Sequence, residues 1–323
     1  MARPFFLKIM KKFAFVFPGQ GSQSVGMLDG WGDHPVVAQT LVEASDALGE
    51  NIGQLIQQGP KEALALTTNT QPVMLVAGVA AWRVWQAEGG ALPDVVAGHS
   101  LGEYSALVAS GVLTLAQAAP LVRLRAAAMQ EAVPVGTGAM AAILGLDADK
   151  VRAGCAEVTA ALGGAEVVEA VNFNDPSQTV IAGSKAAVEK ACEALKAAGA
   201  KRALPLPVSA PFHSSLMKPA AEKLKAALAA TVLAAPRIPV LNNIDVTVQQ
   251  DADAIRDALY RQAFGPVRWV ECVQAMKARG VVHLVECGPG KVLMGLTKRI
   301  DADLTAAALY DPATLADVKE SLA

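Results

Sequence analysis

The feature that most restricts the fold of this chain is the sequence GHSLG at residues 98–102. The apolar run before it, residues 94–97, predicts a buried strand, and residues 103–110 after it predict a helix. Small residues on both sides of Ser100 allow a sharp strand-to-helix turn, which raises the serine hydroxyl above the edge of a parallel sheet. The backbone N–H groups of the following helix then point toward a developing oxyanion. The segment therefore predicts Ser100 as a nucleophile, with a purely structural turn as the alternative.

The order of the predicted elements indicates an α/β fold. Residues 13–17 (FAFVF) predict a buried strand that leads into a glycine-rich loop, and residues 35–48 and 72–88 predict helices. Alternation of apolar strands with helices is typical of a largely parallel sheet covered by helices. The pattern returns later in the chain, with predicted helices at 218–230, 255–262 and 270–280 and a buried strand at 281–286. We therefore expect a large α/β-hydrolase-like domain with a parallel sheet.

The middle of the chain has a different order of predicted secondary-structure elements. The predicted order there is strand, helix, strand, strand, helix, strand, which is the ferredoxin-like order. Asp147 and Ser184 occupy the predicted N-cap positions of the two helices. Segments rich in Pro and Gly at both ends mark this stretch as an insertion. We therefore expect a ferredoxin-like subdomain at residues 136–208, inserted into a catalytic domain formed by residues 1–135 and 209–323.

Composition and charge exclude several classes of protein. A length of 323 residues predicts about two domains, and 53% apolar with 18% charged residues excludes a disordered chain. The net charge of −2 supplies no field for binding nucleic acid. The longest strongly apolar run, residues 73–82, is far shorter than the ~20 residues of a membrane-spanning helix. We therefore expect a cytoplasmic protein that binds neither nucleic acid nor a membrane.

The cysteines and the first residues lead to two further expectations. The spacing of the four cysteines fits neither a CxxC metal pair nor a disulfide framework, so we expect free thiols and no metal site. These residues are Cys155, Cys192, Cys272 and Cys287. Residues 1–9 lack the pattern of a cleaved signal and are expected to be an N-terminal extension, because Met10 could itself begin the chain.

A serine nucleophile needs a neighbouring base, and the chain contains four histidines. His99 adjoins Ser100 in an extended segment, where successive side chains point to opposite sides, so we do not expect it to reach the hydroxyl. His283 lies in a buried strand and is expected to be a hydrogen-bonded core residue, whereas His34 is expected in an exposed loop. His213 is therefore the predicted base.

The residue that orients this base is less evident. In hydrolases of this architecture an acid normally lies between the serine and the histidine along the chain. Asp175 is the obvious loop candidate, but it belongs to the inserted subdomain and nothing in the sequence directs it to His213. We therefore expect a Ser–His dyad whose histidine is oriented by a backbone carbonyl or by an amide.

Five segments of the chain form a recognisable set. They are FPGQGSQ (17–23), GHSLGEY (98–104), RAAAMQ (125–130), SAPFHS (209–214) and ECGPGK (286–291). In order and spacing they resemble the malonyl-CoA:acyl carrier protein transacylase family, over nearly the whole chain from residue 13 to about residue 305. The resemblance implies an acyltransferase of fatty acid biosynthesis that uses malonyl-CoA and the phosphopantetheine thiol of acyl carrier protein and needs no cofactor.

The resemblance also implies roles for individual residues. Ser100 would be acylated with His213 as general base, in a ping-pong transfer. The backbone N–H groups of Gln20 and Leu101 would form the oxyanion hole. The backbone carbonyl of Gln262 would orient the histidine, which would account for the missing acid.

Substrate choice is expected to depend on charge. A malonyl group carries a free carboxylate, which the two-pronged guanidinium of arginine matches best when both are buried. Arg123 and Arg125 are the only charged residues of the segment 119–129, and one of the pair is expected to face the surface because residues two apart lie on different helix faces. The family motif selects Arg125 as the carboxylate clamp. Asn174 matches a family turn that faces the cleft and is a candidate for positioning the substrate.

Three other functions stay open on the sequence alone. They are an acyltransferase serving a polyketide synthase, an acyl thioesterase or esterase that uses the same dyad, and a non-catalytic binder of acyl carrier protein. The presence of both Ser100 and His213 argues against the non-catalytic binder. We expect a monomer that docks its acidic partner through a local cationic patch. The candidates for the patch are Lys201, Arg202, Lys218, Lys223, Lys225, Lys298 and Arg299.

Overall fold

The computed structural model describes residues 11–208 and 210–322, so the predicted N-terminal extension and Ser209 lie outside the described residues. Its strands are β1 (Phe13–Phe17), β2 (Val95–Gly98), β3 (Gly138–Leu144), β4 (Val168–Asp175), β5 (Gln178–Ser184), β6 (Arg202–Pro205), β7 (Val240–Leu241), β8 (His283–Cys287) and β9 (Thr305–Leu309). Its α-helices are α1 (Pro35–Leu48), α2 (Ile52–Gln58), α3 (Lys61–Ala65), α4 (Thr67–Ala87), α5 (Gly102–Ala109), α6 (Leu115–Glu131), α7 (Ala148–Ala161), α8 (Lys185–Ala197), α9 (Lys218–Ala230), α10 (Ala252–Gln262), α11 (Trp269–Ala278), α12 (Val292–Ile300) and α13 (Pro312–Leu322). Short 3-10 turns lie at Asp29–Trp31 and Ser215–Met217. The fold is mixed α/β, as predicted.

The first of two sheets is parallel, with the strand order β7-β2-β1-β8-β9. The central strand β1 is buried at every position, as expected for a strand covered on both faces. Its three phenylalanines join the larger core on one face, and the intervening Ala and Val join a second core on the other. On the first face Trp82 and Trp85 of α4 meet Phe15 edge to face, with ring centroids 5.5 and 5.2 Å from that of Phe15. Helix α4 is thereby fixed on the sheet.

The second sheet is antiparallel, with the order β4-β5-β3-β6, and has a core of its own. Helices α7 and α8 supply apolar residues to that core. Asp147 is confirmed as an N-cap, because its carboxylate accepts from the Lys150 amide over 2.9 Å. Ser184 occupies the N-cap position of α8, as predicted, but its hydroxyl makes no capping hydrogen bond and accepts instead from the amide of Val167.

A short backbone pairing joins the antiparallel sheet to the segment after α10. The amide of Val267 donates to the Val171 carbonyl over 2.8 Å, and the Val267 carbonyl accepts from the Phe173 amide over 3.0 Å. This pairing brings the end of β4 toward the carboxyl ends of β1 and β2, where Asn172 and Ser100 line one cavity.

Helix α4 differs from the sequence prediction at its start. A helix was expected at residues 72–88, with the proline in its first turn, but α4 begins at Thr67 and contains Pro72 in its interior. A proline there leaves the Thr68 carbonyl, four residues earlier, without its helical donor. Nη1 of Arg123 donates to that carbonyl, so the lost hydrogen bond is replaced from the neighbouring helix α6.

The boundaries of the other elements differ less from the sequence prediction. Strand β2 is shifted by one residue from the predicted 94–97, and β6 ends at Pro205 rather than continuing to residue 209. Helices α2 and α3 were not predicted, because segments of seven and five residues hold too few apolar positions to reveal a helical period.

The described residues include no helix that combines the length and apolar character needed to span a bilayer. The four cysteines are free thiols, as predicted, with Cys192 half-buried and the other three buried.

Trp85 should be one of the costlier residues to remove from the core. Its side chain is 1% exposed, and Nε1 donates to the Ala91 carbonyl over 2.8 Å. We expect Trp85→Ala to lower the free energy of unfolding by about 3–5 kcal/mol, because it creates a cavity and leaves a carbonyl unpaired. Urea unfolding followed by circular dichroism measures the change. Val232→Ala, at a residue 76% exposed, is the control and should shift the value by less than about 0.5 kcal/mol. Equal effects of the two substitutions would contradict the prediction.

Candidate active site

The turn at residues 98–102, which we call the serine turn, contains two glycines with no room for a side chain. A Cβ on Gly98 would lie 1.9 Å from the carbonyl carbon of Gly102. A Cβ on Gly102 would lie 2.0 Å from the carbonyl oxygen of Phe17, at the end of β1. Ser100 has a φ of +52°, in the left-handed region that residues with a side chain rarely adopt. The turn therefore packs tightly on the central strand and directs Ser100 into a cavity.

The structure places His213 beside this serine. The distance between Ser100 Oγ and His213 Nε2 is 2.6 Å, and that between His213 Nδ1 and the Gln262 carbonyl oxygen is 2.9 Å. Because a carbonyl only accepts, Nδ1 carries the proton and Nε2 is left as the acceptor for the serine hydroxyl. Asp175 takes no part, since its carboxylate pairs with Nε of Arg299 over 2.7 Å.

The surroundings keep His213 unprotonated. Its side chain is buried, and burial followed by the charge of Arg125 lowers the pKa of His213 to about 3. Desolvation disfavours the imidazolium cation, and a nearby positive charge disfavours it further. A neutral imidazole is the form that can accept a proton from Ser100.

The other histidines are occupied elsewhere. Nε2 of His99 lies 2.8 Å from Oδ1 of Asn174, and burial lowers the pKa of His99. His283 is a buried residue whose Nδ1 lies 2.6 Å from the Thr305 hydroxyl, as expected for a hydrogen-bonded core histidine. His34 is not the exposed loop residue that we expected. It is half-buried and caps α1, where Nδ1 accepts from an amide of the first turn, because the ring can satisfy an N–H that the helix leaves free.

Arg125 brings a buried positive charge to the same cavity. Its side chain is 2% exposed, and its Nη2 lies 3.2 Å from Ser100 Oγ and 3.0 Å from Gln262 Oε1. Nη1 donates to Gln71 Oε1 over 2.5 Å. Arg123 faces away, as expected of one member of the pair, and forms an ion pair with Glu50 near the surface.

Two backbone positions complete the wall around the serine. In the serine turn the amides of His99, Ser100 and Gly102 all donate to acceptors of the fold, whereas the amide of Leu101 has no acceptor among the described residues. Gln20 follows β1 and lines the cavity opposite. A free amide beside a nucleophile is available to a developing oxyanion.

A buried polar network behind the serine was missed by the sequence analysis. Oε2 of Glu103 accepts from the Asn243 amide over 2.9 Å and from Gln262 Nε2 over 3.1 Å. Oδ1 of Asn243 accepts from the Ser100 amide over 2.7 Å, and Gln262 Nε2 also donates to the Ser100 carbonyl over 2.9 Å. The one available signal was Glu103 as the single charged residue of α5.

Two adjoining cavities lead to the serine. The inner one has a volume of about 120 Å³ and the outer one about 240 Å³, and both are lined by Gln20, His99, Asn172 and Leu206. Ser100, Arg125 and His213 line the inner cavity. Asn174 lines the outer cavity and contacts His99 rather than the dyad.

The arrangement is suited to acyl transfer through serine. A serine hydroxyl, a neutral imidazole, a backbone amide with no acceptor among the described residues and a fixed cation meet around one small cavity. Among the described residues no group of three or more His, Cys, Asp or Glu side chains is arranged to hold a metal ion. The cation can accept the anionic end of an acyl group while the hydroxyl attacks its carbonyl.

Comparison with known proteins gives concordant results. Residues 14–307 match the family described as "Acyl transferase domain". The malonyl CoA-acyl carrier protein transacylase of Escherichia coli K12 is 58% identical over 312 residues, which cover 96% of this chain and all of that protein. The crystal structure of the acyl-carrier-protein S-malonyltransferase of Burkholderia pseudomallei 1710b is 65% identical, with a TM-score of 0.93 over 96% of this chain and 99% of that one. A type II PKS acyl-carrier protein in complex with its malonyl-transacylase gives 55% identity and a TM-score of 0.93 over 96% of this chain and 100% of that one.

The lowered pKa of His213 predicts how the reactivity of Ser100 depends on pH. The base acts only when unprotonated, and a pKa of about 3 means that it is lost only as the pH falls toward that value. We expect phenylmethylsulfonyl fluoride, a neutral serine reagent, to inactivate the protein at a nearly constant rate from pH 8 down to about pH 5. The matched variant Ser100→Ala should not be labelled. A rate that falls with a midpoint near 6.5, the ordinary histidine pKa, would contradict the prediction.

Proposed function

This chain belongs to the acyl transferase family and, within it, is similar to the malonyl CoA-acyl carrier protein transacylases, so we propose that it transfers a malonyl group from malonyl-CoA to acyl carrier protein in fatty acid biosynthesis. The observation that carries the proposal is that one hydroxyl, Ser100 Oγ, lies 2.6 Å from His213 Nε2 and 3.2 Å from Arg125 Nη2. A base and a cation at one nucleophile suit an acyl group that has an electrophilic end and an anionic end.

The first half-reaction acylates the enzyme. His213 Nε2 takes the hydroxyl proton of Ser100 while Oγ attacks the thioester carbonyl of malonyl-CoA. The carbonyl electron pair moves to oxygen, where the backbone N–H groups of Leu101 and Gln20 stabilise the negative charge. The C–S bond then breaks, and the coenzyme A sulfur leaves with the proton returned by His213. The Gln262 carbonyl keeps the imidazole in the reactive tautomer throughout.

The second half-reaction reverses these steps with a new thiol. The phosphopantetheine thiol of acyl carrier protein gives its proton to His213, and its sulfur attacks the malonyl ester. The ester C–O bond breaks, and Ser100 recovers its proton from the imidazole. No cofactor is needed, since every proton and electron pair is exchanged between the dyad and the two thiols.

Arg125 is proposed to select the malonyl group. Burial lowers the pKa of Arg125, yet the side chain has no carboxylate in direct contact among the described residues. Its Nε is buried and without an acceptor there. A buried guanidinium without a direct counterion is stabilised by an incoming carboxylate, whereas an acetyl group brings none. Asn174 is proposed to act one step away, by holding His99 against the outer cavity.

We further infer the finer description of the fold and of its division. The order of strands and helices around β3 to β6 supports a ferredoxin-like subdomain at residues 136–208. The parallel sheet and its strand–turn–helix nucleophile support an α/β-hydrolase-like domain formed by residues 1–135 and 209–323. A cytoplasmic monomer remains our expectation from the sequence.

Acyl carrier protein is the proposed partner. Of the seven cationic residues that the sequence offers for its docking patch, we propose that fewer take part. Lys223 pairs with Glu131, and Lys225 lies over the ring of Tyr260. Arg299 also forms an ion pair, with the buried Asp175, but its side chain is 53% exposed and lines the outer cavity, so it is the strongest candidate to meet the partner there.

A second candidate function is service to a polyketide synthase. The 55% identity to the malonyl-transacylase bound to a type II PKS acyl-carrier protein favours it. The chemistry would be identical and only the acceptor would differ. Comparison of transfer rates to a fatty-acid and a polyketide carrier protein separates the two candidates.

Exposure to malonyl-CoA should leave the malonyl group on Ser100. We expect intact-protein mass spectrometry to show one malonyl adduct, peptide mapping to place it on Ser100, and addition of carrier protein bearing phosphopantetheine to remove it. Ser100→Ala is the control and should carry no adduct. Rapid release of free malonate without a carrier protein would identify a thioesterase instead.

Substitution of Arg125 should abolish the preference for malonyl over acetyl groups. We expect Arg125→Ala to lower the ratio of kcat/KM for malonyl-CoA to that for acetyl-CoA by about 10- to 100-fold, as befits the loss of a charged hydrogen-bonded contact. Arg123→Ala is the matched control, because Arg123 lies outside the cavity, and it should leave the ratio unchanged. An unaltered ratio in Arg125→Ala would rule out the clamp.

A further inference from the structure

Glu103 has no part in the reaction described above, yet it is a buried acid in the first turn after the nucleophile. Its side chain is 2% exposed, and burial raises the pKa of Glu103 to about 7. No cation touches it among the residues that the structure describes. Burying a carboxyl group without an ion-pair partner lowers the stability of the fold. The position of Glu103 therefore suggests a function.

Its contacts lead to the side chain of Gln262, which separates Glu103 from Arg125. Gln262 Nε2 donates to Glu103 Oε2 over 3.1 Å and to the Ser100 carbonyl over 2.9 Å, and Gln262 Oε1 accepts from Arg125 Nη2 over 3.0 Å. A carboxylate offers only acceptors and a guanidinium only donors. The amide between them therefore has one satisfied orientation. The reversed amide would set oxygen against oxygen at one end and N–H against N–H at the other.

The orientation of that amide decides where the guanidinium lies. Besides Gln262 Oε1, the hydrogen-bond acceptors of the Arg125 terminal nitrogens among the described residues are Gln71 Oε1 and the Ser100 hydroxyl, and the guanidinium lies over the Tyr104 ring, 5.5 Å from its centroid. If the amide turned round, Nη2 would lose its acceptor and meet a donor. The guanidinium would then move away from the nucleophile.

We propose that Glu103 is a specificity-determining positioning residue, which orients the Gln262 amide and through it holds Arg125 where the free carboxylate of the acyl group binds. The inference rests on the proposed malonyl transfer and deepens it. Gln262 contacts the proposed base and the cation at once: its backbone carbonyl contacts His213, and its side chain contacts Arg125. Glu103 fixes the contact with Arg125.

Two variants separate the hydrogen-bond acceptor of Glu103 from its charge. Glu103→Gln keeps the length of the side chain and an oxygen that can accept from Gln262, but it removes the charge. Glu103→Asp keeps the charge but withdraws the carboxylate from Gln262 by about one carbon–carbon bond, roughly 1.5 Å. The measurement is the ratio of kcat/KM for malonyl-CoA to that for acetyl-CoA, read as adduct formation on the whole protein. Partial misfolding lowers both rates equally and leaves the ratio unmoved, so a purely structural effect does not imitate the predicted one.

We expect Glu103→Asp to lower the ratio by about tenfold or more, the effect of losing a buried hydrogen bond, and Glu103→Gln to stay within about threefold of the unaltered protein. The proposal is overturned if Glu103→Asp keeps the full ratio, or if Glu103→Gln falls as far as Glu103→Asp. If the unaltered protein prefers malonyl and both variants keep the same preference, this inference alone is refuted. An unaltered protein that takes up no malonyl group refutes the proposed function and this inference with it.

Discussion

The close approach of the serine turn to the central strand is the constraint on which the site depends. With Gly102 against the Phe17 carbonyl, the His99 amide can donate to that same carbonyl over 3.0 Å, which anchors the turn to β1. The left-handed backbone of Ser100 costs of order 1–3 kcal/mol. The Ser100 amide donates to Asn243 Oδ1 and the Ser100 carbonyl accepts from Gln262 Nε2, and these two hydrogen bonds offset that cost. The nucleophile is therefore held in a strained conformation by residues far away in the sequence.

Burial has opposite consequences for the charge of the two ionisable side chains beside the serine. It keeps His213 neutral, which suits a base, and it leaves Arg125 charged but poorly solvated, which suits a receptor for an anion. Each reinforces the other, because the cation further disfavours protonation of the imidazole. A more open cavity would weaken both effects, since water would solvate the imidazolium and compete for the guanidinium.

The sequence permitted the strand–turn–helix around Ser100 to be predicted, because the apolar periods on either side and the small turn residues are local signals. His213 followed by elimination among four histidines. The family resemblance, rather than any local pattern, pointed to Arg125 and Gln262. Glu103 and Asn243 could not be found, since their partnership spans 140 residues and depends on how β7 lies beside β2. A buried hydrogen bond between distant polar residues leaves no trace in local hydropathy.

The dyad and the channel that leads to it draw on different parts of the fold. Ser100, His213 and Gln262 come from segments around the parallel sheet, and the hydrogen bonds that join them directly involve no residue of the antiparallel one. The cavity wall does require it, because Asn172 in β4 and Met140 in β3 line the space in front of the serine. The geometry of the Ser–His pair can thus stay constant while residues of the smaller sheet change the shape of the cavity in front of it, which under the proposed function separates reactivity from the size of the acyl group accepted.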